Sequence, residues 1–175
     1  MEYDVLRKKL KKYGYTRKTE RLSEFSNKSV IKKNFSDKSL NHTHLSNSSV
    51  IGTNFNNAAL TGSNFNNCEF ENCKMKMSDL EYCEFLDCYF TSKYAVVSSL
   101  NESNFIKTSF KKITFSGSSF SGSFFDECTF EKVKIEFSTL ENSLFRNCTF
   151  CNMDMKVLNL DYTEFENPHM DNVIL

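Results

Sequence analysis

Apolar residues recur at every fifth position of this chain, from Phe25 to Leu175, in one phase. Of the 18 phenylalanines, all but Phe124 and Phe137 fall in that phase. A period of five matches neither the 3.6-residue period of a helix nor the two-residue period of a strand. A chain that turns a corner every five residues would direct all of these side chains inward. The pattern therefore predicts a solenoid with a phenylalanine-rich core.

Two further columns accompany the apolar centres. The residue two positions before a centre is usually small, and six of the seven cysteines lie there. The residue two positions after a centre is repeatedly Asn or Gly, as at Asn67 and Gly117. Both residue types tolerate the positive φ angles of tight turns. We expect the small column to point inward and the Asn and Gly column to form the corners.

A longer period of twenty residues gives the number of sides. The ladder Leu40, Leu60, Leu80 and Leu100 continues at Leu140 and Leu160, with Phe120 as its exception. Twenty residues per coil and five per side make a four-sided coil. Stacked coils rise by about 4.8 Å each, so about eight of them would form a rod roughly 37 Å long. The predicted fold is all-β, a right-handed quadrilateral β-helix with a short N-terminal helical cap.

Lysine breaks the small inward column at four positions. An unpaired charge is not buried there, so the first three indicate an open or loosely wound first coil. The fourth precedes Ala95, the one undersized centre. Either its alkyl stem fills the resulting void, or residues 94–97 bulge outward. The four lysines are Lys28, Lys33, Lys38 and Lys93.

The two ends of the chain differ from the repeat. Residues 1–24 are predicted to form a basic N-terminal cap that covers the end of the solenoid, and residues 25–175 the β-helix itself. Val5, Leu6, Leu10 and Tyr13 would lie on one face of a short helix in that cap. The alternative for this segment is a disordered basic tail. At the other end Leu175 is a centre position, which favours a homodimer through a chain end or a fragment of a longer protein.

Charge is distributed unevenly along the chain. Its 22 basic and 22 acidic residues cancel overall, but residues 1–40 are strongly basic and residues 41–175 acidic. No signal peptide or membrane span is recognisable, so we expect a cytoplasmic protein that does not bind membranes. Seven cysteines in a reducing compartment are then interpreted as free thiols. Cys68 with Cys88, and Cys128 with Cys148, would lie one coil apart at about 4.8 Å, within disulfide reach. Parallel inward thiols are the favoured interpretation for these pairs too.

The sequence offers little evidence for a catalytic or metal-binding site. Cys148 and Cys151 form a C-x-x-C pair, but the repeat register directs the first inward and the second outward. His42 and His44 flank an inward Thr43 and have no further ligand at suitable spacing. No nucleophile and base set, phosphate loop or carboxylate pair is recognisable. We therefore expect no enzyme activity, no cofactor and no metal.

The motif [Ser/Cys/Thr]-x-[Phe/Leu]-x-[Asn/Gly], as in residues 63–67 and, for its first three positions, residues 128–130, resembles the pentapeptide repeat family. The resemblance covers about residues 21–175 and implies the four-sided β-helix. It implies little about function, since the family consists mostly of uncharacterised proteins. Some members protect DNA gyrase from quinolones or peptide toxins by presenting an acidic, DNA-like rod. Projecting loops in those proteins have no counterpart in the unbroken frame here.

Outward apolar residues that align every twenty positions are the candidates for a partner surface. One group follows a corner, with two further residues beside it, and a second group covers another side. The corner group is Met77, Val97, Phe137 and Val157, joined by Tyr94 and Val96; the other group is Leu86, Ile106, Phe124 and Leu144.

The sequence supports two functional hypotheses. The first is a non-catalytic rigid solenoid that acts as a protein-interaction or structural module, with a partner protein still to be identified. The second is a DNA mimic that binds DNA gyrase or topoisomerase and protects it against quinolones or toxins. An acidic stripe on the leucine side supports the second: Asp79, Glu81, Glu102, Glu141 and Asp161. Neither hypothesis includes direct binding of nucleic acid.

Overall fold

The computed structural model describes residues 22–155 and 158–174. Within these ranges the chain is all-β, apart from a single 3₁₀ turn at Leu22–Phe25. The helix predicted around Leu6 and Leu10 lies outside the described residues, as do Val157 and Leu175. No helix in the described ranges is long and apolar enough to cross a bilayer.

Seventeen short strands make up the described chain. Most contain three residues because a corner interrupts the chain every five. In chain order they are β1 Ser29–Ile31, β2 His44–Ile51, β3 Asn64–Glu71, β4 Lys76–Asp79, β5 Glu84–Leu86, β6 Tyr89–Thr91, β7 Ala95–Ser99, β8 Asn104–Ile106, β9 Ser109–Lys111, β10 Thr114–Ser116, β11 Phe124–Asp126, β12 Thr129–Glu131, β13 Lys134–Glu136, β14 Leu144–Arg146, β15 Thr149–Asp154, β16 Glu164–Glu166 and β17 His169–Ile174.

The strands pair in parallel with their counterparts one coil away. Phe85 of β5 lies beside Phe105 of β8, and Phe105 beside Phe125 of β11. A register of twenty residues makes each coil four-sided, and residues 25–174 form about seven and a half coils. We number the faces by their centres: Phe85 is on face 1, Phe90 on face 2, Phe115 on face 3 and Leu100 on face 4. The predicted four-sided β-helix is confirmed.

The faces differ in how regularly their strands are hydrogen-bonded. A sheet of 13 strands covers faces 1 and 2, and β4, β7, β10 and β13 form a second sheet on face 3. At β4 and β7 this second sheet continues round the corner onto face 4, where Asp79 pairs with Ser99. Elsewhere face 4 has isolated bridges, such as Ser119 with Thr139. Backbone hydrogen bonds still join neighbouring coils there, as from Leu100 N to Ser119 O at 2.7 Å.

Phenylalanine rings fill the interior in stacked ladders. On face 1 the ring centroids of Phe85 and Phe105 lie 4.9 Å apart, with an interplanar angle of 2°. On face 2 the rings of Phe90 and Phe110 lie 5.3 Å apart. Rings on the two faces meet edge to face, as Phe105 meets Phe110 at 62°. Both arrangements are favourable for aromatic rings, so the ladders fix the spacing of the coils as well as excluding water.

The small inward column is a column of hydrogen-bond donors. Ser103 Oγ donates to Leu80 O at 2.8 Å, and Cys128 Sγ donates to Phe105 O at 3.2 Å. Each acceptor is the backbone oxygen of an apolar centre residue in the preceding coil, 23 positions earlier in the sequence. Ser, Thr and Cys suit this position because they are small and carry a donor. No buried side-chain nitrogen or oxygen in the described ranges lacks a partner.

This direction of the small column corrects the prediction for the first coil. That coil is wound regularly, since β1 pairs in register with β2. In later coils the inward-column residues donate to the coil before them, but no described coil precedes the first. Its inward-column residues therefore remain exposed, and lysine is tolerated there. Lys28 Nζ donates to Glu24 O at 2.9 Å, and Lys33 Nζ lies 5.8 Å from the Phe25 ring centroid.

Residues with a left-handed backbone conformation form the corners. Every fifth described residue from Asn27 to Asn172 has a φ between +49° and +69°, with two exceptions, Ser92 and Val97. Asn and Gly fill many of these corners because their backbones adopt such angles at low cost. The predicted corner column is confirmed.

The exceptions mark a register slip, which corrects the prediction of an unbroken frame. Val96, not Ala95, is the buried centre, with 3% of its surface exposed. Ser92 takes the inward position predicted for Lys93, and residues 93–95 bulge outward and are exposed. Phe115 accordingly pairs with Val96, one residue out of the usual register. The larger apolar side chain of Val96 fills the core better than Ala95 would, and the Lys93 charge stays in water.

The slip predicts opposite outcomes at two adjacent positions. Val96→Asp should lower the free energy of unfolding by several kcal/mol because it buries an unpaired charge. Ala95→Asp should change it by less than about 0.5 kcal/mol because this residue is exposed. Urea denaturation followed by circular dichroism measures both. A larger loss of stability for Ala95→Asp than for Val96→Asp would contradict the register slip.

The packed ladder predicts a large effect of removing one ring. Phe120 is 2% exposed and lies against Phe115, with 4.9 Å between the ring centroids. Phe120→Ala should cost about 3–5 kcal/mol, since stacked coils cannot collapse into the gap. The same denaturation experiment measures the loss. The exposed Phe137 serves as the control, and Phe137→Ala should change stability by less than about 0.5 kcal/mol. A loss below 1 kcal/mol for Phe120→Ala would contradict the ladder.

Candidate partner-binding surface

Two large apolar side chains project into solvent from the corner between faces 3 and 4. Phe137 is 89% exposed and Met77 is 68% exposed. Both are corner residues, with φ angles of 52° and 56°. A bulky side chain is unfavourable at such an angle, and neither residue gains burial in exchange. We call this edge of the rod the Met77–Phe137 corner.

A groove lies on this corner, from Met77 across the coils of Val97 and Gly117, and Phe137 follows one coil further along the same corner column. Its volume is about 480 Å³. Two features of the sequence create it. Gly117 contributes no side chain at the corner, and the register slip leaves half-buried Val97 without the left-handed angle of its neighbours. The remaining lining comes from face 4, and the residues are Ser78, Asp79, Glu81, Ser98, Ser99 and Ser119.

The carboxylates of the groove are held by neutral donors. Thr61 Oγ1 donates to Asp79 Oδ2 at 2.9 Å. Ser99 Oγ and Asn101 Nδ2 donate to Glu81 Oε1 at 2.5 Å and 3.2 Å. The ion pairs between described residues involve neither carboxylate. Both groups are therefore held in position by hydrogen bonds and not by a cationic side chain of the described residues.

The corner separates two faces of opposite charge. Face 3 carries exposed lysines: Lys74, Lys76, Lys93 and Lys134. Face 4 holds the five acidic residues predicted from the sequence, Asp79, Glu81, Glu102, Glu141 and Asp161, and its segments from residue 58 to residue 162 contain no lysine or arginine. A partner bound along the corner would meet both charges.

The second predicted surface is assembled on face 1. Leu86 lies beside Ile106 in one ladder, and Phe124 lies beside Leu144 in the adjacent ladder. All four are half-buried because neighbouring coils cover their flanks. The guanidinium of Arg146 lies 5.0 Å from the centroid of the Phe124 ring. The apolar side chains of this face are more covered than those of the Met77–Phe137 corner.

The other three residues predicted for the corner, Tyr94, Val96 and Val157, do not share one location. Tyr94 lies on the outward bulge and is 39% exposed, with Lys74 Nζ and Lys93 Nζ each 5.4 Å from its ring centroid. Val96 is wrong as a surface residue, because the slip makes it a core centre. Val157 lies outside the described residues. Sequence reasoning missed Gly117 as part of the groove, although its position in the same twenty-residue ladder was the available signal.

The thiols lie where the register predicts. All seven cysteines are free; six are buried, and Cys151 is half-buried on the outside. Burial raises the pKa of Cys73 and of Cys83 to about 12. The described residues contain no group of three His, Cys, Asp or Glu side chains arranged to hold a metal ion.

The burial pattern predicts that one thiol reacts quickly. At pH 8, Ellman's reagent should modify Cys151 within minutes and the other six cysteines only after denaturation. Cys151→Ser is the control and should abolish the fast phase. Fast modification of several thiols would contradict the packed interior.

The raised pKa values of the buried thiols also predict how stability depends on pH. The free energy of unfolding should fall as the pH rises above 9, since the unfolded chain then loses thiol protons that the folded chain retains.

The exposed corner predicts a gain in stability on substitution. Phe137→Asn should raise the free energy of unfolding by about 0.5–1 kcal/mol, because Asn adopts the left-handed angle more readily. The melting temperature should rise by about 1–4 °C. Tyr162→Asn is a matched control, since Tyr162 is 81% exposed at a φ of 56° and should show a similar gain. A lower melting temperature for Phe137→Asn would mean that the ring supports the fold.

Two family models match the chain. "Pentapeptide repeats (8 copies)" matches residues 39–76, and "Pentapeptide repeat region" matches residues 63–140. Together they span residues 39–140, more than half of the sequence. No curated protein matches the chain in sequence.

Solved structures similar to this chain include several pentapeptide repeat proteins. A trypsin-treated form of QnrB1, a plasmid-mediated fluoroquinolone resistance protein, is 14% identical, with a TM-score of 0.44, over 82% of this chain and 90% of that one. HetL, from the cyanobacterium Nostoc sp. strain PCC 7120 and involved in heterocyst differentiation regulation, is 9% identical, with a TM-score of 0.33, over 86% of each chain. A protein from the Arabidopsis thaliana thylakoid lumen is 15% identical, with a TM-score of 0.27, over 73% of this chain and 71% of that one.

Proposed function

This chain belongs to the pentapeptide repeat family, and from that premise we propose that it is a non-catalytic, rigid interaction module that binds a partner protein through the Met77–Phe137 corner. The stacked ladders give the rod its stiffness, and the corner gives it a binding edge. Rigid presentation favours binding because little conformational entropy is lost on association.

The exposure of Phe137 is the observation that carries the proposal. Its apolar ring is 89% exposed, the highest fraction among the large hydrophobic side chains of the described residues, and contributes almost no burial to the fold. The left-handed angle is shared by nearly every corner, including Tyr162, so the proposal rests on the exposed ring and not on the angle. Aromatic residues, including phenylalanine, are also enriched at protein interfaces relative to the rest of the protein surface.

A packed interior supports a non-catalytic role. The enclosed void in the described core measures about 10 Å³ and lies among Met75, Val96 and Phe115. A water molecule barely fits such a volume, whereas sites for small molecules typically enclose about 300–1,000 Å³. Substrate chemistry would therefore have to take place on the outer surface.

A pull-down from cytosolic extract tests the binding edge. Wild-type protein should retain a partner that is lost with the double variant Met77→Asn plus Phe137→Asn. The double variant should still fold, since both substitutions suit the left-handed corner. Tyr162→Asn is the matched control and should retain the partner. Equal retention by all three proteins would overturn the proposed edge.

The acidic face 4 supports a second candidate function, DNA mimicry toward DNA gyrase or topoisomerase. Its five carboxylates extend from residue 79 to residue 161, about four coil steps or roughly 20 Å. B-DNA carries about twelve phosphates over that length. The face thus has less than half the charge density of DNA, which favours the first candidate.

A supercoiling assay tests the second candidate. DNA mimicry predicts that micromolar protein inhibits DNA gyrase, or protects it from a quinolone, and that added salt weakens the effect. Unchanged gyrase activity and unchanged quinolone sensitivity would exclude it. The variant Asp79→Asn plus Glu81→Gln should weaken any true effect, whereas Phe137→Asn should leave it unchanged.

Self-association through a chain end is a separate proposal. Leu160, Phe165 and Met170 are core residues of the last described coil that remain half-buried. A second copy would cover them. Light scattering of the 20.3 kDa chain distinguishes a dimer from a monomer, and a monomer at 100 µM would exclude a stable dimer.

A further inference from the structure

The corner from Met77 to Phe137 has the length of a short peptide site. The two residues occupy the same corner column three coils apart, which is about 14 Å along the rod. An extended chain covers that distance with about four residues, at roughly 3.3 Å each. Gly117 lies between them in this column and contributes no side chain to the groove that begins at Met77.

The groove is apolar along one side and anionic along the other. The side chains of Met77 and Val97 and the backbone of Gly117 supply the apolar side, and Asp79 and Glu81 the anionic side. The two charged residues that line the groove, Asp79 and Glu81, are both acidic. The exposed lysines of face 3, among them Lys76, flank the other side of the corner. A cation of the partner is therefore favoured on the face 4 side of the groove.

The carboxylates have oxygens available to a ligand. Glu81 Oε1 accepts both hydrogen bonds, from Ser99 and Asn101, and no described residue donates to Glu81 Oε2. Asp79 is oriented by Thr61 and by the backbone N–H of Glu81, which donates to Oδ1 at 3.1 Å. Fixed carboxylates of this kind suit the charge-assisted hydrogen bonds of a guanidinium or ammonium group.

We propose that the groove binds a short extended segment of a partner protein in which lysine or arginine adjoins an apolar side chain. The cation pairs with Asp79 and Glu81, and the apolar side chain packs between Met77 and Phe137 over Gly117. This inference rests on the proposed function and adds the chemistry of the partner. Charge complementarity selects this occupant over an acidic segment, which Asp79 and Glu81 would repel.

Peptide selection on the full-length chain tests the chemistry. A phage-displayed library of random nine-residue peptides is panned on the immobilised protein and, in parallel, on Phe137→Asn. The wild type should enrich peptides that combine Lys or Arg with Leu, Ile, Phe or Met. Phe137→Asn should not enrich them. Failure to enrich any peptide would count against the proposal.

Binding of the most enriched peptide, labelled with fluorescein, separates the contributions by fluorescence anisotropy. Phe137→Asn should weaken binding about tenfold or more, as expected for an aromatic anchor. Glu81→Gln should weaken it about fivefold and reduce its dependence on salt. Gly117→Asn keeps a residue suited to the left-handed angle but fills the groove, so it should also weaken binding. Tyr162→Asn, outside the groove, should stay within about twofold of wild type.

Three outcomes would overturn the proposal in different ways. If acidic or uncharged peptides are enriched and still require Phe137, the partner chemistry is wrong while the binding edge stands. If the enriched peptides bind Phe137→Asn as well as wild type, both the inference and the proposed function fail at this corner. If light scattering shows a dimer that Phe137→Asn converts to a monomer, a second copy of the chain fills the groove.

Discussion

The stacking of equivalent side chains one coil apart is the interaction on which this structure depends. A rise of about 4.8 Å per coil suits both parallel backbone hydrogen bonds and offset aromatic rings. The rings of Phe125 and Phe145, 4.4 Å apart and nearly parallel, meet both requirements at once. The small residues follow from the same spacing, because a serine hydroxyl or cysteine thiol just reaches the preceding coil. Each coil therefore serves as a template for the next.

This template leaves different freedom to different positions. Centres must be apolar, inward residues must be small donors, and corners must tolerate a left-handed backbone. The outward flanking residues and the corner side chains are free to vary, provided that the corner accepts some strain. Binding chemistry on such a rod is therefore expected at its edges and outer faces, and Phe137 and Met77 occupy corners where the backbone would favour asparagine. The stability lost at these corners is small beside that of a single core ring.

The sequence predicted the fold because its period depends on equivalent positions, and these are visible in one dimension. It did not predict the slip at Val96, because the apolar Ala95 occupies the periodic position and Val96 lies one residue out of phase. The choice between them depends on core volume and on the charge of Lys93, which are three-dimensional quantities. The periodic pattern also did not predict that one 13-stranded sheet covers two faces. This depends on the backbone at the corners where β2 and β3 continue from face 1 to face 2.

The candidate site was predicted in part for the same reason. The alignment of Met77 with Phe137 follows from their spacing of sixty residues, and their exposure follows from the corner position. The groove that begins at Met77 does not follow from spacing. It depends on the missing side chain at Gly117, on the altered corner at Val97 and on carboxylates of the adjacent face. Val96 was wrongly assigned to the surface because the slip moves it inward.

The central claim is that the Met77–Phe137 corner contacts a partner protein. Site-specific photo-crosslinking tests it most directly. The photoreactive amino acid p-benzoylphenylalanine replaces Phe137 in one protein and Tyr162 in a matched control, and each is irradiated in extract of the host cells. A discrete crosslinked product from position 137 and none from position 162 is the predicted result. No product at position 137, or the same products from both positions, would contradict it.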